Sequence, residues 1–258
     1  MMMFWPFKPQ SQRRAPRLRP LVLVLLITLL WLCPQAAIAQ PNLEQQVLEI
    51  VRQHPEVVVE ALQAYQRQQQ EQRQAARQAV LDTLKTDPQT LIGASPTSQA
   101  LENRAILLEF SDFQCPFCAQ AHGTVQDLLA NHPDEITVVY KHLPLHQIHP
   151  QAIPAAQAAY AAQQQGQFWA YHDALFEHQD ELGDGFFVAT AKRLELDLTQ
   201  FERDRTSPES VEAIAQDMEL AEQLGISGTP CFFFQGHTLE GAVPYEQFEA
   251  LLKGPAAT

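Results

Sequence analysis

From Leu43 to about Leu84 the apolar residues recur at helical intervals, with a break at Pro55. Val47, Ile50 and Val51 form one short stripe. Pro55 suits the first turn of a second helix, where its missing N–H is not needed. Beyond it Val58, Leu62, Tyr65, Gln69, Gln72, Ala76 and Ala79 alternate spacings of four and three, a heptad-like seam. The middle of the seam is rich in glutamine, so a lone helix there has little to bury. The pattern fits either a solvated spacer helix or an oligomerisation stalk. Val57 to Leu62 is too apolar to leave in water, which favours the stalk.

Asp87-Pro88 to Ser98 carries Gly93, Ser95, Pro96 and Ser98 and reads as a linker. The pattern then changes. Ala105 to Phe110 reads as a strand, Pro116 to Asn131 as a helix and Ile136 to Lys141 as a second strand. This β-α-β unit implies a parallel pair with a right-handed crossover. Residues 150 to 224 read as helical throughout, Ala-rich at first and aromatic from Phe168 to Phe176. A turn over Ile226 to Pro230 leads to a strand at Cys231 to Phe234, a hairpin partner at Thr238 to Gly241 and a last helix at Tyr245 to Leu252. The order predicts an α/β thioredoxin fold with a large helical insertion at about 145–224, preceded by an N-terminal helical stalk. The expected divisions are 1–39, 40–95 for stalk and linker, and 96–256 for the thioredoxin domain.

The first 39 residues are set apart by composition. Lys8, Arg13, Arg14, Arg17 and Arg19 precede an apolar run from Leu21 to Leu32, and Ala37-Ile38-Ala39 follows. This is the layout of a secretory signal peptide cleaved after Ala39. The run is short of the roughly 20 residues a bilayer span needs, so a retained anchor is the second reading. The expected place is the periplasm or another extracytoplasmic space. The leader holds five basic and no acidic residues. Its removal leaves 12 basic against 30 acidic, and takes the formal charge from −13 to −18. Such a surface argues against binding nucleic acid. Cleavage also removes Cys33, leaving Cys115, Cys118 and Cys231, too few for a disulfide scaffold.

The candidate chemistry sits in Glu109 to Cys118, E-F-S-D-F-Q-C-P-F-C. A C-x-x-C where a strand hands over to a helix is the arrangement of a thiol redox centre. The helix N-terminus aims backbone N–H groups and a partial positive charge at Cys115, which favours its thiolate. Cys115 is therefore the expected nucleophile, exposed at the helix cap, and Cys118, one turn inside, the resolving thiol. Pro116 and Phe117 between them bring no charge and no side-chain hydrogen bond. Half of a zinc site is the competing reading, but no second C-x-x-C or C-x-x-H follows. Glu109 lies six residues before Cys115 in an apolar strand. Burial would raise its pKa; a strand end facing water is the alternative. Asp112 reads as a loop or cap residue. Cys231 reads as a buried strand residue rather than a third active thiol. His142, His146 and His149 could suggest a metal, but Pro144 and Pro150 in that segment work against helical presentation.

Together these stretches resemble the DsbA-like thiol–disulfide oxidoreductases. The likeness rests on L-E-F-S-D-F-Q-C-P-F-C, H-P-Q-A from His149, F-W-A-Y-H-D-A-L-F from Phe168, G-I-S-G-T-P-C-F-F-F from Gly225 and G-A-V-P-Y-E-Q-F from Gly241. The N-terminal H-P-E-V-V-V-E-A-L is similar to the stalk of the ScsC-like, suppressor-of-copper-sensitivity branch, some members of which are oligomeric disulfide isomerases. The resemblance implies that Glu109 exchanges a proton with Cys118. It also implies a cis proline at Pro230 facing the cysteines, with Thr229 tuning redox behaviour. Thr229, Pro230, Pro116 and Phe117 are then the substrate-binding residues. X–Pro bonds tolerate the cis form at about 0.5–1 kcal/mol, and the backbone beside one can pair with a substrate strand. No cofactor or metal is expected beyond the Cys115–Cys118 disulfide itself. The expected partners are unfolded or misbonded exported proteins, a membrane redox partner, and further copies of the chain through residues 43–84. Oxidase, isomerase or reductase, and a non-enzymatic chaperone or metal carrier remain the competing functions.

Overall fold

A computed structural model describes residues 42–102 and 104–254. The expected signal segment, with its apolar run and Cys33, lies outside the described residues. The chain divides into two compact units, one ending at Ala61 and one beginning at Leu62.

The first unit holds helix α1 (Leu43–Gln53) and the opening turns of α2 (Pro55–Thr86). Asn42 caps α1 by accepting from the Glu44 N–H at 3.3 Å. Pro55 begins α2, as its tolerance for a first helical turn requires. Leu43, Val47, Leu48, Ile50, Val51, Val57, Val58 and Val59 all remain exposed.

In the second unit the later turns of α2 are not a free seam. Ala76, Val80, Leu81 and Leu84 pack into one core cluster with Ile92, Leu108, Phe110, Val139 and Phe233. The Arg77 guanidinium donates to the Leu224 carbonyl at 3.0 Å and to Glu240 at 2.9 Å. The expected heptad seam therefore ends before Ala76. From Ala76 on, the i, i+4 apolar positions find partners in the domain core. The expected linker is likewise more ordered than its composition suggests. It contains α3 (Pro88–Ile92) and buries Ile92. Thr97 bridges Val139, while the Tyr140 N–H donates to Pro96 at 3.0 Å and the Ser98 N–H to Val138 at 2.9 Å.

Among the described residues the sheet has four strands in the order β2-β1-β3-β4. β1 (Ala105–Ser111) is paired on both sides, parallel to β2 (Ile136–His142) and antiparallel to β3 (Cys231–Phe234). β4 (His237–Glu240) pairs antiparallel with β3. Between β1 and β2 runs α4 (Pro116–Asn131), giving the expected crossover. Side chains alternate across β1. Leu108 and Phe110 join the cluster under α2, and Leu107 joins the cluster of α4, with Ala121, Val125 and Leu128. Glu109 and Ser111 share the parity of Leu107.

The insertion comprises α5 (Ala152–Gln163), α6 (Phe168–Glu177), a 3-10 turn (Gln179–Glu181), α7 (Asp184–Arg193), α8 (Leu198–Arg205) and α9 (Pro208–Gln223). Seven alanines of α5 are buried, which lets its neighbours approach closely. Asp197 and Ser207 cap α8 and α9 through the Gln200 and Ser210 N–H groups. Phe168, Tyr171 and Phe176 are core residues of this layer, with Trp169 packed against it. α10 (Tyr245–Lys253) closes the chain, with Phe248 fully buried against Phe232 and Phe234.

Candidate active site

Cys115 stands at the N-cap of α4 with Pro116 in the first turn. Its carbonyl accepts the Cys118 N–H at 3.0 Å and the Ala119 N–H at 3.2 Å, which starts the helix directly behind the sulfur. The Cys115 thiol donates to the Thr229 carbonyl at 3.5 Å. The Thr229-Pro230 bond is cis, as expected, and leads into β3. The two halves of the motif, 114 residues apart, thus meet at one sulfur.

Cys115 is only 4 % exposed, which corrects the expectation of an exposed nucleophile. The reason lies in the insertion. The Gln179 amide donates to the Phe113 carbonyl at 2.7 Å and to the Cys115 carbonyl at 3.0 Å, drawing the 3-10 turn over the loop. Thr229 and Pro230 are buried beside it. Exposure falls instead to Pro116 and Phe117, the latter 60 % exposed.

The two sulfurs are electrostatically opposed. Cys115 is lowered to about 5, chiefly by a hydrogen bond from the Cys118 side chain. Burial works against this, and Thr229 with the backbone N–H groups of Cys118 and Phe117 adds to it. Cys118 is fully buried and pushed far up, first by burial and then by Cys115. The Asp112 N–H points at its sulfur at 3.5 Å.

Glu109 is 2 % exposed, so the solvent-facing alternative does not hold. Burial raises it to about 7, with Ser111 opposing. Tyr140 pairs with Glu109 across β1 and β2, and its buried hydroxyl is unpartnered. Glu109, Ser111 and Tyr140 are thus buried polar groups, with the Tyr140 ring stacked on Phe113 at 5.1 Å.

Asp112 is a buried loop organiser. Its carboxylate accepts from the N–H groups of Gln114 at 2.8 Å and Leu145 at 2.9 Å, and pairs with His149 at 2.7 Å. This gives His149 a structural place at the loop. His142 lies buried among Phe113, Tyr140 and Phe168, and His146 is exposed. Each of the three histidines thus has a separate setting. Cys231 is buried in β3 as expected, and its thiol is raised to about 12, mainly by burial. Sequence reasoning missed Gln179, which is 64 residues from Cys115 and carries no local signal.

A four-stranded mixed sheet, a C-x-x-C at a helix cap, a facing cis proline and a helical insertion define a thioredoxin-fold protein of the oxidoreductase type. The profile of the DSBA-like thioredoxin domain matches residues 106–253, and the chain belongs to that family. A thioredoxin-like oxidoreductase from Silicibacter pomeroyi DSS-3 is 31 % identical, over 65 % of this chain and 96 % of that one, with a TM-score of 0.59. ScsC of Proteus mirabilis in a transitional conformation is 25 % identical over 80 % of this chain and 92 % of its own, with a TM-score of 0.57. That likeness reaches beyond the matched domain, as the ScsC-like N-terminal motif implies. A periplasmic thioredoxin-like protein of Salmonella enterica serovar Typhimurium is 26 % identical over 67 % of this chain and 94 % of its own, with a TM-score of 0.56.

Among curated proteins, the Na(+)/H(+) antiporter NhaA 3 of Salinispora tropica is 40 % identical over 152 residues. These are 59 % of this chain and 23 % of the antiporter. NhaA of Herminiimonas arsenicoxydans is 36 % identical over 147 residues, 23 % of its length. The chain thus spans less than a quarter of the curated relatives it matches. No described helix of this chain is long and apolar enough to cross a membrane.

Proposed function

We propose that the chain is an exported protein thiol–disulfide oxidoreductase that works through Cys115 and Cys118. The observation that carries this is the Cys115 sulfur at the α4 cap, 3.5 Å from the Thr229 carbonyl and lowered to about 5. In the forward direction a substrate thiolate attacks the Cys115 sulfur of the disulfide. The S–S bond breaks, Cys118 leaves as the thiolate, and Glu109 returns a proton to it. A second substrate thiolate attacks the mixed disulfide and releases Cys115 as a thiolate. Two electrons pass from substrate to the pair, and a membrane redox partner removes them. The Thr229 backbone offers an edge for a substrate strand, and Phe117 and Pro116 offer exposed apolar surface beside it.

The low Cys115 value supports the oxidising direction. A stable Cys115 thiolate favours the dithiol form of the protein, and a pair that prefers the dithiol form is an oxidant. Equilibration with glutathione buffers is expected to place Cys115–Cys118 above about −200 mV, well above the −270 mV or so of thioredoxin. A value near the latter overturns the oxidase reading. In reoxidation of a reduced, unfolded substrate, Cys115→Ser is expected to abolish turnover. Cys118→Ser is expected to accumulate the mixed disulfide. The isomerase reading draws on the exposed apolar residues of α1 and early α2, which fit a self-associating stalk. Export rests on the leader and the periplasmic Salmonella relative; cell fractionation with N-terminal sequencing tests it.

A further inference from the structure

Outside the thiol site, one cluster of side chains has the chemistry of a ligand set. His122 lies on α4, one turn past Cys118, and His172 and Asp173 lie on α6. One donor atom from each residue falls within 4.8 Å of the others. His172 Nδ1 is 2.8 Å from Asp173 Oδ1, and His122 Nε2 is 3.8 Å from the same oxygen. That second separation is too long for a hydrogen bond, and the buried His122 Nε2 has no protein partner. His172 Nε2 is also buried without a partner, but Nδ1 is the His172 atom that faces Asp173, so the orphaned donor at the cluster is His122 Nε2. His122 and His172 are 8 % and 4 % exposed, so these orphaned nitrogens are not supplied by bulk water.

We propose that His122, His172 and Asp173 form a site for a divalent ion of the zinc class, clipping the catalytic helix α4 to the insertion helix α6. Tetrahedral zinc with nitrogen and oxygen ligands at about 2.0–2.1 Å sets donors roughly 3.3–3.5 Å apart. To reach that spacing His122 approaches the Asp173 oxygen by a few tenths of an ångström and His172 withdraws from it by about half an ångström, while the two imidazole donors, which lie within 4.8 Å of each other, turn toward a common centre. Two imidazoles and a carboxylate suit zinc, cobalt or copper better than the oxygen-seeking magnesium or calcium. Water completes the coordination, as in sites with three protein ligands. The shell is aromatic. His122 stacks on Phe176 at 5.1 Å, and His172 makes edge contacts with Phe113, Tyr140 and Trp169. Such a shell restricts solvent and strengthens the ion's hold. The Asp173 side chain is 39 % exposed and provides the entry path. Neither cysteine is a ligand, so serine at both positions leaves the three donors in place.

The test uses the full chain carrying Cys115→Ser and Cys118→Ser, so that thiolates do not compete. Calorimetric titration with Zn²⁺ is expected to saturate at a single equivalent and to raise the melting temperature. Co²⁺ is expected to give visible d–d bands without a thiolate charge-transfer band. His122→Gln and Asp173→Asn are each expected to weaken binding about tenfold or more. Asp173→Asn alters a part-exposed side chain, so it reports even if His122→Gln fails to fold. The proposal is overturned if the folded double-serine protein binds no stoichiometric Zn²⁺. It is equally overturned if binding is unchanged in Asp173→Asn.

Discussion

Cys115 and Cys118 are the same residue type one helical turn apart, yet their thiols are driven in opposite directions. The cap position gives Cys115 the Cys118 side chain, N–H donors and a facing Thr229, whereas Cys118 points into the core, where burial and the neighbouring Cys115 outweigh Ser111 and Thr229. Absorbance of the thiolate is expected to rise with a midpoint near pH 5 in wild type and to vanish in Cys115→Ser. A lowered folded-state pKa stabilises the dithiol form above the unfolded thiol pKa, and the gain fades as pH falls through about 5. The melting temperature of the dithiol form should therefore decline relative to the disulfide form between neutral pH and pH 5. Glu109 has the opposite sign. Its folded pKa is raised from 4.5 to about 7, so the stability it allows is complete below pH 4.5 and is lost as pH rises through 7. Glu109→Gln should match wild type near pH 4.5 and exceed it by up to about 3 kcal/mol at pH 8, by denaturant titration. Equal stability at both pH values would mean that Glu109 is not held buried. The cysteines and Glu109 were legible because residue type and spacing within one segment carry them. The burial of Cys115 was not, because the groups that cover it come from the insertion and from the Thr229-Pro230 turn.

At the scale of elements, the insertion packs against the site and bonds the Cys115 carbonyl through one side chain, Gln179. Gln179→Ala removes two hydrogen bonds from the Phe113 and Cys115 carbonyls and should cost about 1–3 kcal/mol in the dithiol form. It should also raise alkylation of Cys115 under native conditions; an unchanged rate would show that the turn does not shield the sulfur. A second element contact is equally specific. Gly225 has φ +65°, and a Cβ placed there would run into the Arg73 side chain of α2. Gly225→Ala should destabilise the domain by at least the roughly 1 kcal/mol of a left-handed alanine, read by thermal melting. The β-α-β unit, the β3–β4 hairpin and the closing helix were all readable from periodicity to within a residue or two. The order within Asp87 to Ser98 was not, because Ile92 and the strand-like bonds of Pro96 to Ser98 depend on partners in α2 and β2.

For the whole molecule, the unanswered surface is that of α1 and early α2. Val47, Ile50, Val57, Val58 and Leu62 are each at least 48 % exposed. Exposed apolar residues at this density favour self-association. Light scattering is expected to find an oligomer, and a chain lacking residues 43–61 is expected to be monomeric. A monomeric intact chain would remove this role. Because the chain is strongly acidic, such an oligomer must bury its apolar stripe without stacking its charges, so its stability should rise with added salt.

Sequence alone determined the strand–C-x-x-C–helix unit, the strand after Pro230 and the class of chemistry, because each is written in residues close together along the chain; the cis state of Pro230 came from the resemblance those residues carry. Tertiary structure decided which sulfur is shielded, which carboxylate is buried, and where the stalk helix becomes part of the core. It also brought His122 to His172 and Asp173. Those outcomes depend on packing between segments far apart in sequence, where burial and facing partners, rather than local pattern, fix charge and exposure.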